Sequence, residues 1–321
     1  MEIKDSDTVG YRQENLSLIN EIRRLKKEKH VVLLAHYYQV PEIQDIADFI
    51  GDSLALAQQA RDTTADIILF AGVHFMAETA KILNPNKKVL IPDLTAGCSL
   101  ADACKAEDLK AMKAEYPDHM VLSYVNCSAE VKCLSDLICT SGNALKLVNA
   151  LPADQKILFV PDRNLGGYIN RMTGRNMRLW PGCCEVHNLL EAEKVLKLKQ
   201  AHPEAKLIAH PECNQAVLEI ADFVGSTAAM LKFIKEDASS AYVVATETGI
   251  LHAMLKICPE KKFYIASPSD MACCENDCPH MKKNTLEKIY RCLVDESPEI
   301  ILSDEVIERA AKPIEAMLRM S

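Results

Sequence analysis

Three cysteines, Cys98, Cys184 and Cys278, recur along the chain at spacings of 86 and 94 residues. Three thiolates that meet at one centre are able to bind zinc with water in the fourth position. They are equally able to bind a 4Fe-4S cluster with one iron left open. Structural zinc sites usually take closely spaced cysteine pairs, and Cys98 has no cysteine at such a spacing. One ligand from each of three distant segments instead indicates a metal centre buried at a domain junction.

Other cysteines compete for this role. Cys183 directly precedes the second of the three, so chemistry alone does not choose between the two neighbours. The run MACCENDCPHM has the residue types to hold a zinc ion by itself. Its candidate ligands are Cys273, Cys274, Cys278 and His280. Because ferredoxin-type Cys-x2-Cys-x2-Cys runs are missing, an electron carrier is disfavoured, while a redox role for the extra thiols stays open.

Polar residues also recur in three copies. Each copy has an anchor residue, an aspartate twelve residues later and a hydroxyl residue seventeen residues later. The sets are His36, Asp48 and Ser53; Tyr124, Asp136 and Ser141; and His210, Asp222 and Thr227. The anchors lie 88 and 86 residues apart, which indicates three related domains. The aspartates have no obvious chemistry, so we interpret them as polar contacts that determine the fold.

Three short apolar runs per copy, separated by helical stretches, predict repeated β-α units with parallel sheets. We therefore predict an α/β fold of three homologous three-layer αβα domains. The expected boundaries are 1–102, 103–188 and 189–284, with 285–321 packing on the first domain. Parallel sheets place ligand-binding loops beyond the carboxyl ends of their strands, where the anchors fall. A pseudo-threefold triangular arrangement would bring the strand ends and cysteines to one central active site.

Composition excludes several classes of function. A net charge of −8 and a pI near 5.7 argue against nucleic-acid binding, which needs a concentrated basic face. No apolar run reaches the roughly 18 residues that span a bilayer, and the first residues contain no apolar secretion signal. We expect a cytoplasmic protein without membrane partners. Thirteen cysteines in that reducing compartment indicate metal binding or catalysis rather than disulfides.

Ordered motifs run from about residue 15 to 320. They include AHYYQVPEIQDIADFIGDSL (35–54), PDLTAGCSLAD (92–102), YVNCSAEVK (124–132), GCCEVH (182–187), HPECNQAV (210–217), TETGILH (246–252) and CPHMKKNTL (278–286). Together these motifs closely resemble the quinolinate synthase family. The resemblance implies a triangle of three similar α/β domains. It also implies a 4Fe-4S cluster held by Cys98, Cys184 and Cys278, with one iron open to substrate.

The reaction implied by the resemblance condenses iminoaspartate with dihydroxyacetone phosphate. Quinolinate forms with loss of phosphate and two waters, and no net electron transfer is required. An open iron supplies a Lewis acid for hydroxyl departure and a template for orientation. The small-molecule substrates imply a functional link to an aspartate oxidase or dehydrogenase that supplies iminoaspartate.

The predicted catalytic residues lie at the ends of the first strands of the three copies. They are His36, Tyr38, Tyr124, His210 and Glu212. We favour His210 with Glu212 as the acid/base pair, because an imidazole titrates near neutral pH and a carboxylate tunes it. Glu247 is expected to bind substrate or to support His210, and His187 to lie behind the residues that touch substrate.

Residues predicted to bind substrate carry hydroxyl or amide groups near strand ends and helix starts. They are Ser53, Asn126, Ser141, Ser226 and Thr227. Hydroxyls and backbone N–H groups at a helix start are able to hold phosphate or carboxylate. Any one of these hydroxyls alone is typical of a helix N-cap.

Two other functions use a similar cluster. One is an aconitase-like iron–sulfur hydro-lyase, which would carry the motifs of that family. The other is a non-enzymatic, cluster-bearing redox sensor, which would not turn over substrate and would not need the His210 and Glu212 pair.

Overall fold

A computed structural model describes residues 5–268 and 276–321, with side chains from residue 15 onward. The strands are β1 (Val31–His36), β2 (Phe49–Gly51), β3 (Ile67–Ala71), β4 (Lys88–Leu90), β5 (Met120–Tyr124), β6 (Leu137–Cys139), β7 (Ile157–Val160), β8 (Arg178–Leu179), β9 (Lys206–Ala209), β10 (Phe223–Val224), β11 (Ala241–Ala245) and β12 (Lys262–Ile265). Cys273 and Cys274, predicted as alternative zinc ligands, lie outside the described residues.

Helices connect and cover these strands. They are α1 (Asp5–Glu28), α2 (Pro41–Ile46), α3 (Ser53–Asp62), α4 (His74–Leu83), α5 (Ser99–Asp102), α6 (Ala106–Glu115), α7 (Ala129–Lys132), α8 (Ala144–Ala150), α9 (Arg163–Thr173), α10 (Glu185–Asn188), α11 (Ala192–Ala201), α12 (Gln215–Ile220), α13 (Thr227–Glu236), α14 (Ile250–Ile257), α15 (Leu286–Asp295) and α16 (Asp304–Met320), with a 3-10 helix at Met281–Lys283. Within residues 5–268 and 276–321, none of the helices combines the length and apolar character needed to cross a bilayer.

The strands form three separate four-stranded sheets with one topology. Their orders are β2-β1-β3-β4, β6-β5-β7-β8 and β10-β9-β11-β12, and every paired strand is parallel. We call each sheet, with its connecting helices and the loop after its last strand, the first, second and third unit. This repetition confirms the predicted α/β class with three related units. The triangular arrangement and the exact domain boundaries stay predictions.

Sequence explains why these sheets are parallel and internal. The strands β3, β7 and β11 are apolar and buried along their whole length, which is typical of strands covered by helices on both faces. The edge strands are shorter or more exposed, as in β8, which has only two residues. Each anchor residue, His36, Tyr124 or His210, lies at or directly after the carboxyl end of the first strand of its unit.

The repeated aspartates make the same contact in all three units. The carboxylates of Asp48, Asp136 and Asp222 accept the backbone N–H groups of Leu33, Val121 and Leu207, each at 2.7 Å. The backbone N–H of each aspartate returns a bond to the carbonyl of the same partner, at 2.9, 2.9 and 2.8 Å. This two-way contact fixes the entry of the second strand beside the first. The polar contact predicted for these aspartates is therefore present in all three units.

The C-terminal helices reach two units. Helix α15 packs against α1 in an apolar cluster that includes Ile22, Leu25, Ile289 and Leu293. Helix α16 packs against α4 of the first unit and against α7 and β6 of the second. Residues 285–321 therefore contact the first unit, as expected, and extend onto the second as well.

Candidate functional site

One cavity receives residues from all three units. The predicted site residues on its wall are His36, Tyr38, Ser53, Cys98, Tyr124, Asn126, Ser141, Cys184, His210, Glu212, Thr227 and Cys278. They meet because each first strand ends at the cavity, and parallel sheets expose their loops at that edge. The remaining predicted residue, Ser226, instead caps α13 by accepting the backbone N–H of Ala229 at 3.3 Å.

The two anchor histidines share one geometry. His36 Nδ1 accepts the backbone N–H of Tyr38 at 3.1 Å, and His210 Nδ1 accepts that of Glu212 at 3.4 Å. Because a backbone N–H only donates, each neutral ring carries its proton on Nε2. Burial lowers the pKa of both histidines to about 3. The expectation that His210 titrates near neutral pH is therefore wrong, because burial disfavours the charged imidazolium.

Glu212 is the hydrogen-bonding centre of the cavity. Its carboxylate lies 2.8 Å from His187 Nδ1 and accepts the Asn126 amide at 3.4 Å and the Tyr124 hydroxyl. Burial alone would raise the pKa of Glu212, but the neighbouring imidazoles and the Tyr124 hydroxyl hold it below its ordinary value. Glu212 is therefore a carboxylate at neutral pH. His187 lies on the cavity wall itself, nearer the centre than expected.

A chain of hydrogen bonds runs from Glu212 to the first unit. His187 Nε2 lies 2.9 Å from the Thr246 hydroxyl, which lies 2.6 Å from the hydroxyl of Tyr38. These three residues come from the second, third and first units. Thr246 was not predicted as a site residue, although it is the first polar residue after the buried strand β11, a position that could have indicated it.

Burial also determines the protonation state of the Tyr38 and Tyr124 hydroxyls. Both Tyr38 and Tyr124 are buried, which raises the pKa of each phenol well above its ordinary value. Their hydroxyls therefore stay protonated and serve as hydrogen-bond donors over the physiological pH range.

The three spaced thiols converge on this cavity. Cys98 lies close enough to Cys184 and Cys278 for electrostatic interaction among the thiols. Burial raises the pKa of Cys98 to about 12 and that of Cys278 to about 11, and it also raises the pKa of Cys184 well above its ordinary value. A bound cation reverses this preference, because metal binding deprotonates thiols. Each of the three is a free cysteine, so the donor set fits a metal centre with one ligand per unit.

A second donor set shares one of these thiols. The Cys184 sulfur, His187 Nδ1 and a Glu212 carboxylate oxygen lie within 4.8 Å of one another. Mixed sulfur, nitrogen and oxygen ligands suit a single zinc ion. The cavity therefore offers two metal hypotheses, a three-thiol centre and a mononuclear site, and both use Cys184.

Helix starts supply polar groups on another side of the cavity. Ser53 is the first residue of α3, which is capped by Asp52 through a 2.9 Å bond from the backbone N–H of Ala55. Thr227 is the first residue of α13. Ser141 lies before α8. Hydroxyls combined with the positive ends of helix dipoles favour an anionic ligand here.

Apolar side chains complete the wall. They are Val73, Phe75, Met76, Val186 and Met281. All five are buried. They limit the space for water around the polar groups, so electrostatic interactions within the cavity are stronger than in solvent.

Fold and site together define an α/β protein of three parallel-sheet units, with a thiol-lined cavity built from all three. A family model described as "Quinolinate synthetase A protein" matches residues 20–319. The chain belongs to the quinolinate synthase family, which consists of enzymes of NAD biosynthesis. This confirms the resemblance.

Relatives cover nearly the whole chain. Quinolinate synthase of Microcystis aeruginosa is 57% identical over 304 residues, which are 95% of this chain and 95% of the relative. That of Thermosynechococcus vestitus is 56% identical over 306 residues, 95% of this chain and 96% of the relative. That of Nostoc punctiforme is 55% identical over 306 residues, 95% of this chain and 94% of the relative.

Proposed function

We propose that this chain condenses iminoaspartate with dihydroxyacetone phosphate to quinolinate, with loss of phosphate and two waters. The observation that carries the proposal is that one cavity holds a cysteine and a strand-end cluster from each unit. Family membership supplies the name of the reaction. The thiol-rich centre requires reduced cysteines, which supports a cytoplasmic location.

The proposed cofactor is a 4Fe-4S cluster held by Cys98, Cys184 and Cys278. When bound, it supplies an open iron that acts as a Lewis acid toward a departing hydroxyl and orients the substrate. Among the residues that the structure describes, 5–268 and 276–321, three cysteines line the cavity, and this number supports a cluster with three cysteine ligands.

The protein groups divide between hydrogen-bond donation and proton acceptance. His36 and His210 present neutral Nε2–H groups, which are suited to hold a developing enolate or carboxylate oxygen. Glu212 is an ionised carboxylate that accepts a proton from substrate, while the Tyr124 hydroxyl donates a hydrogen bond to it. The pair of His210 and Glu212 is retained, with Glu212 as the base and His210 as the donor.

Substrate anions are assigned to the helix starts. Ser53, Ser141 and Thr227 with the N–H groups of α3 and α13 would bind the phosphate and carboxylates. The amide of Asn126 lies beside Glu212 and would orient the substrate over that base. Ser226 fixes the position of Thr227 through its capping bond rather than touching the substrate.

The test is anaerobic purification with iron, sulfide and zinc analysis. Quinolinate is then assayed in the native chain and in Cys98→Ala, Cys184→Ala and Cys278→Ala, with Cys183→Ala as the adjacent matched control. Four irons per chain with turnover, both lost in the three variants and kept in the control, would support the proposal. One zinc per chain, lost in Cys184→Ala and His187→Ala but kept in Cys98→Ala, would overturn it in favour of the mononuclear site.

Substrate supply and the rival functions are tested with the same protein. Turnover should be sustained when an aspartate oxidase or dehydrogenase generates iminoaspartate in the assay. A redox sensor would hold a cluster and form no quinolinate. An aconitase-like hydro-lyase would dehydrate a hydroxy acid without using dihydroxyacetone phosphate.

A further inference from the structure

Glu247 is a fully buried carboxylate in the loop after β11, with an exposed fraction of 0%. One oxygen accepts the backbone N–H of Gly249 at 2.7 Å. The other accepts the backbone N–H of Cys278 at 3.1 Å and lies 2.8 Å from the Lys282 ammonium. The expected support of His210 is not among these contacts. Glu247 lines the cavity, and its carboxylate contacts the segment that carries the third thiol. Its predicted contact with substrate stays a prediction.

Lys282 extends this contact to the first unit. Its ammonium donates to the backbone carbonyl of Tyr38 at 2.9 Å while it pairs with Glu247. Because Tyr38 lies on the cavity wall, Lys282 connects the loop that carries Cys278 to the end of the first strand in the first unit.

The two backbones also touch beside this lysine. A Cβ atom at Gly249 would lie 2.7 Å from the carbonyl carbon of Tyr38, closer than side chains tolerate. The Gln44 amide donates to the Gly249 carbonyl at 2.9 Å and to the Gln39 carbonyl at 2.8 Å. The Glu247–Lys282 pair therefore lies at a tight joint between the first and third units.

We propose that Glu247 and Lys282 are positioning residues, of which Glu247 fixes the backbone at Cys278 and Lys282 fixes Tyr38 relative to it. A buried carboxylate holds its partners only while its own charge is balanced, and Lys282 supplies that balance. Without Glu247, the backbone N–H of Cys278 and the Lys282 ammonium lose the acceptor that they share. The Cys278 thiol then moves away from its position relative to the thiols of Cys98 and Cys184. This inference rests on the proposed function only for the role of Cys278 as a ligand.

The first experiment needs no cofactor. Reduced, metal-free protein is treated with iodoacetamide, and mass spectrometry follows alkylation at Cys98, Cys184 and Cys278 in each sample. In Glu247→Ala we expect the rate at Cys278 to rise about tenfold, which corresponds to about 1.4 kcal/mol in the opening equilibrium. The rates at the other two cysteines serve as internal controls and should change less than twofold. An equal rise at all three cysteines, or no change at Cys278, would overturn the proposal.

Lysine variants separate positioning from general stability. Lys282→Met should accelerate alkylation of Cys278, whereas Lys282→Arg should restore the native rate, because a guanidinium still bridges the two acceptors. Lys256→Met is the matched control, since Lys256 also joins the third unit to the first, through Asp45 on the surface. If Lys256→Met and Lys282→Met behaved alike, the effect would belong to the interface as a whole and the proposal would fail.

A final measurement uses iron-loaded protein. Release of iron to bipyridyl should be at least fivefold faster in Glu247→Ala than in the native chain, with iron content matched at the start. If no iron binds to any form, the proposed function fails while the alkylation result stands. Rapid alkylation without faster iron release would overturn the assignment of Glu247 to the metal centre.

Discussion

The repeated aspartates are the same in all three units, whereas the residues at the ends of the first strands differ between the units. The repeated aspartates make one contact with one geometry in all three units. The strand ends carry different pairs, which are His36 with Tyr38, Tyr124 with Asn126, and His210 with Glu212. The aspartate contact is therefore the same in every unit, whereas each first strand brings a different pair of side chains to the cavity. Internal repetition thus separates structural residues from chemical ones.

The contrast is sharpest between the first and third strand ends. His36 and His210 have the same Nδ1 contact and the same lowered pKa, yet only His210 has a carboxylate two residues later. The third strand end therefore supplies a negative charge to the cavity through Glu212, and the first strand end supplies neutral donors.

The largest expected effect is that of Glu212→Gln. Removal of the charge at the third strand end should lower kcat for quinolinate formation by roughly 10² to 10⁴, the range of general acid–base catalysis. Steady-state assays of Glu212→Gln should be compared with those of the control variant Glu219→Gln, because Glu219 is an exposed glutamate on α12. If kcat of Glu212→Gln stayed within threefold of the native value, the carboxylate at the third strand end would not be the catalytic base.

Substitution of the repeated aspartates should reduce stability and spare the cavity. Each Asp→Ala variant should lose about 1 to 3 kcal/mol of unfolding free energy, because each bond involves a charged acceptor. Asp48 and Asp222 also pair with Lys26 and Lys199, whereas Asp136 has no lysine or arginine partner in the described part of the chain. Asp136→Ala should therefore cost least. Urea unfolding measures the losses, and values below 0.5 kcal/mol at all three positions would contradict a fold-determining role.

Acidification should destabilise the protein through the two anchor histidines. Their pKa is about 3 in the folded state, below the ordinary value of 6.5, so the unfolded chain binds more protons between these values. Unfolding free energy should fall as pH drops below 6.5, with a slope that approaches about 1.4 kcal/mol per pH unit for each histidine. Urea unfolding of metal-free protein from pH 7.5 to 5.0 tests this. His36→Asn should flatten the curve, and the exposed His30→Asn should not.

The smallest effect is expected for Tyr38→Phe. This change breaks the 2.6 Å contact with Thr246 and leaves the ring in place. The loss of one neutral hydrogen bond, about 1 kcal/mol, should lower kcat/KM about fivefold. Tyr37→Phe provides the neighbouring control. A loss above a thousandfold would mean that Tyr38 transfers a proton itself, and the first strand end would then match the third in chemical importance.

Features that repeat along the chain were predictable. The three sheets and the shared contact of the aspartates follow from offsets that recur in the three copies. The meeting of Cys98, Cys184 and Cys278 was suggested by their wide spacing, and the choice of Cys184 over Cys183 came from the family resemblance. Contacts between units were not predictable from the repeat. The hydroxyls of Tyr38 and Thr246, for example, meet although they are 208 residues apart and do not occupy matching positions of the repeat.

Burial accounts for the other differences between expectation and structure. The ordinary titration of a histidine suggested that His210 changes charge near neutral pH, but a residue's depth in the cavity is not visible in its type. Ser226 and Thr227 are adjacent hydroxyl residues, and only the helix start decides which of them is the cap.

The apolar wall of Val73, Phe75, Met76, Val186 and Met281 has a consequence for the lifetime of the proposed substrate. A carbon–nitrogen double bond is hydrolysed by water, so an imine survives only as long as water is kept away from it. Inside this wall the proposed imine would be protected, whereas in bulk solution it would decay. The yield of quinolinate would then depend on how quickly the imine enters after it is made, and the distance to its supplier would be a kinetic variable of the proposed reaction.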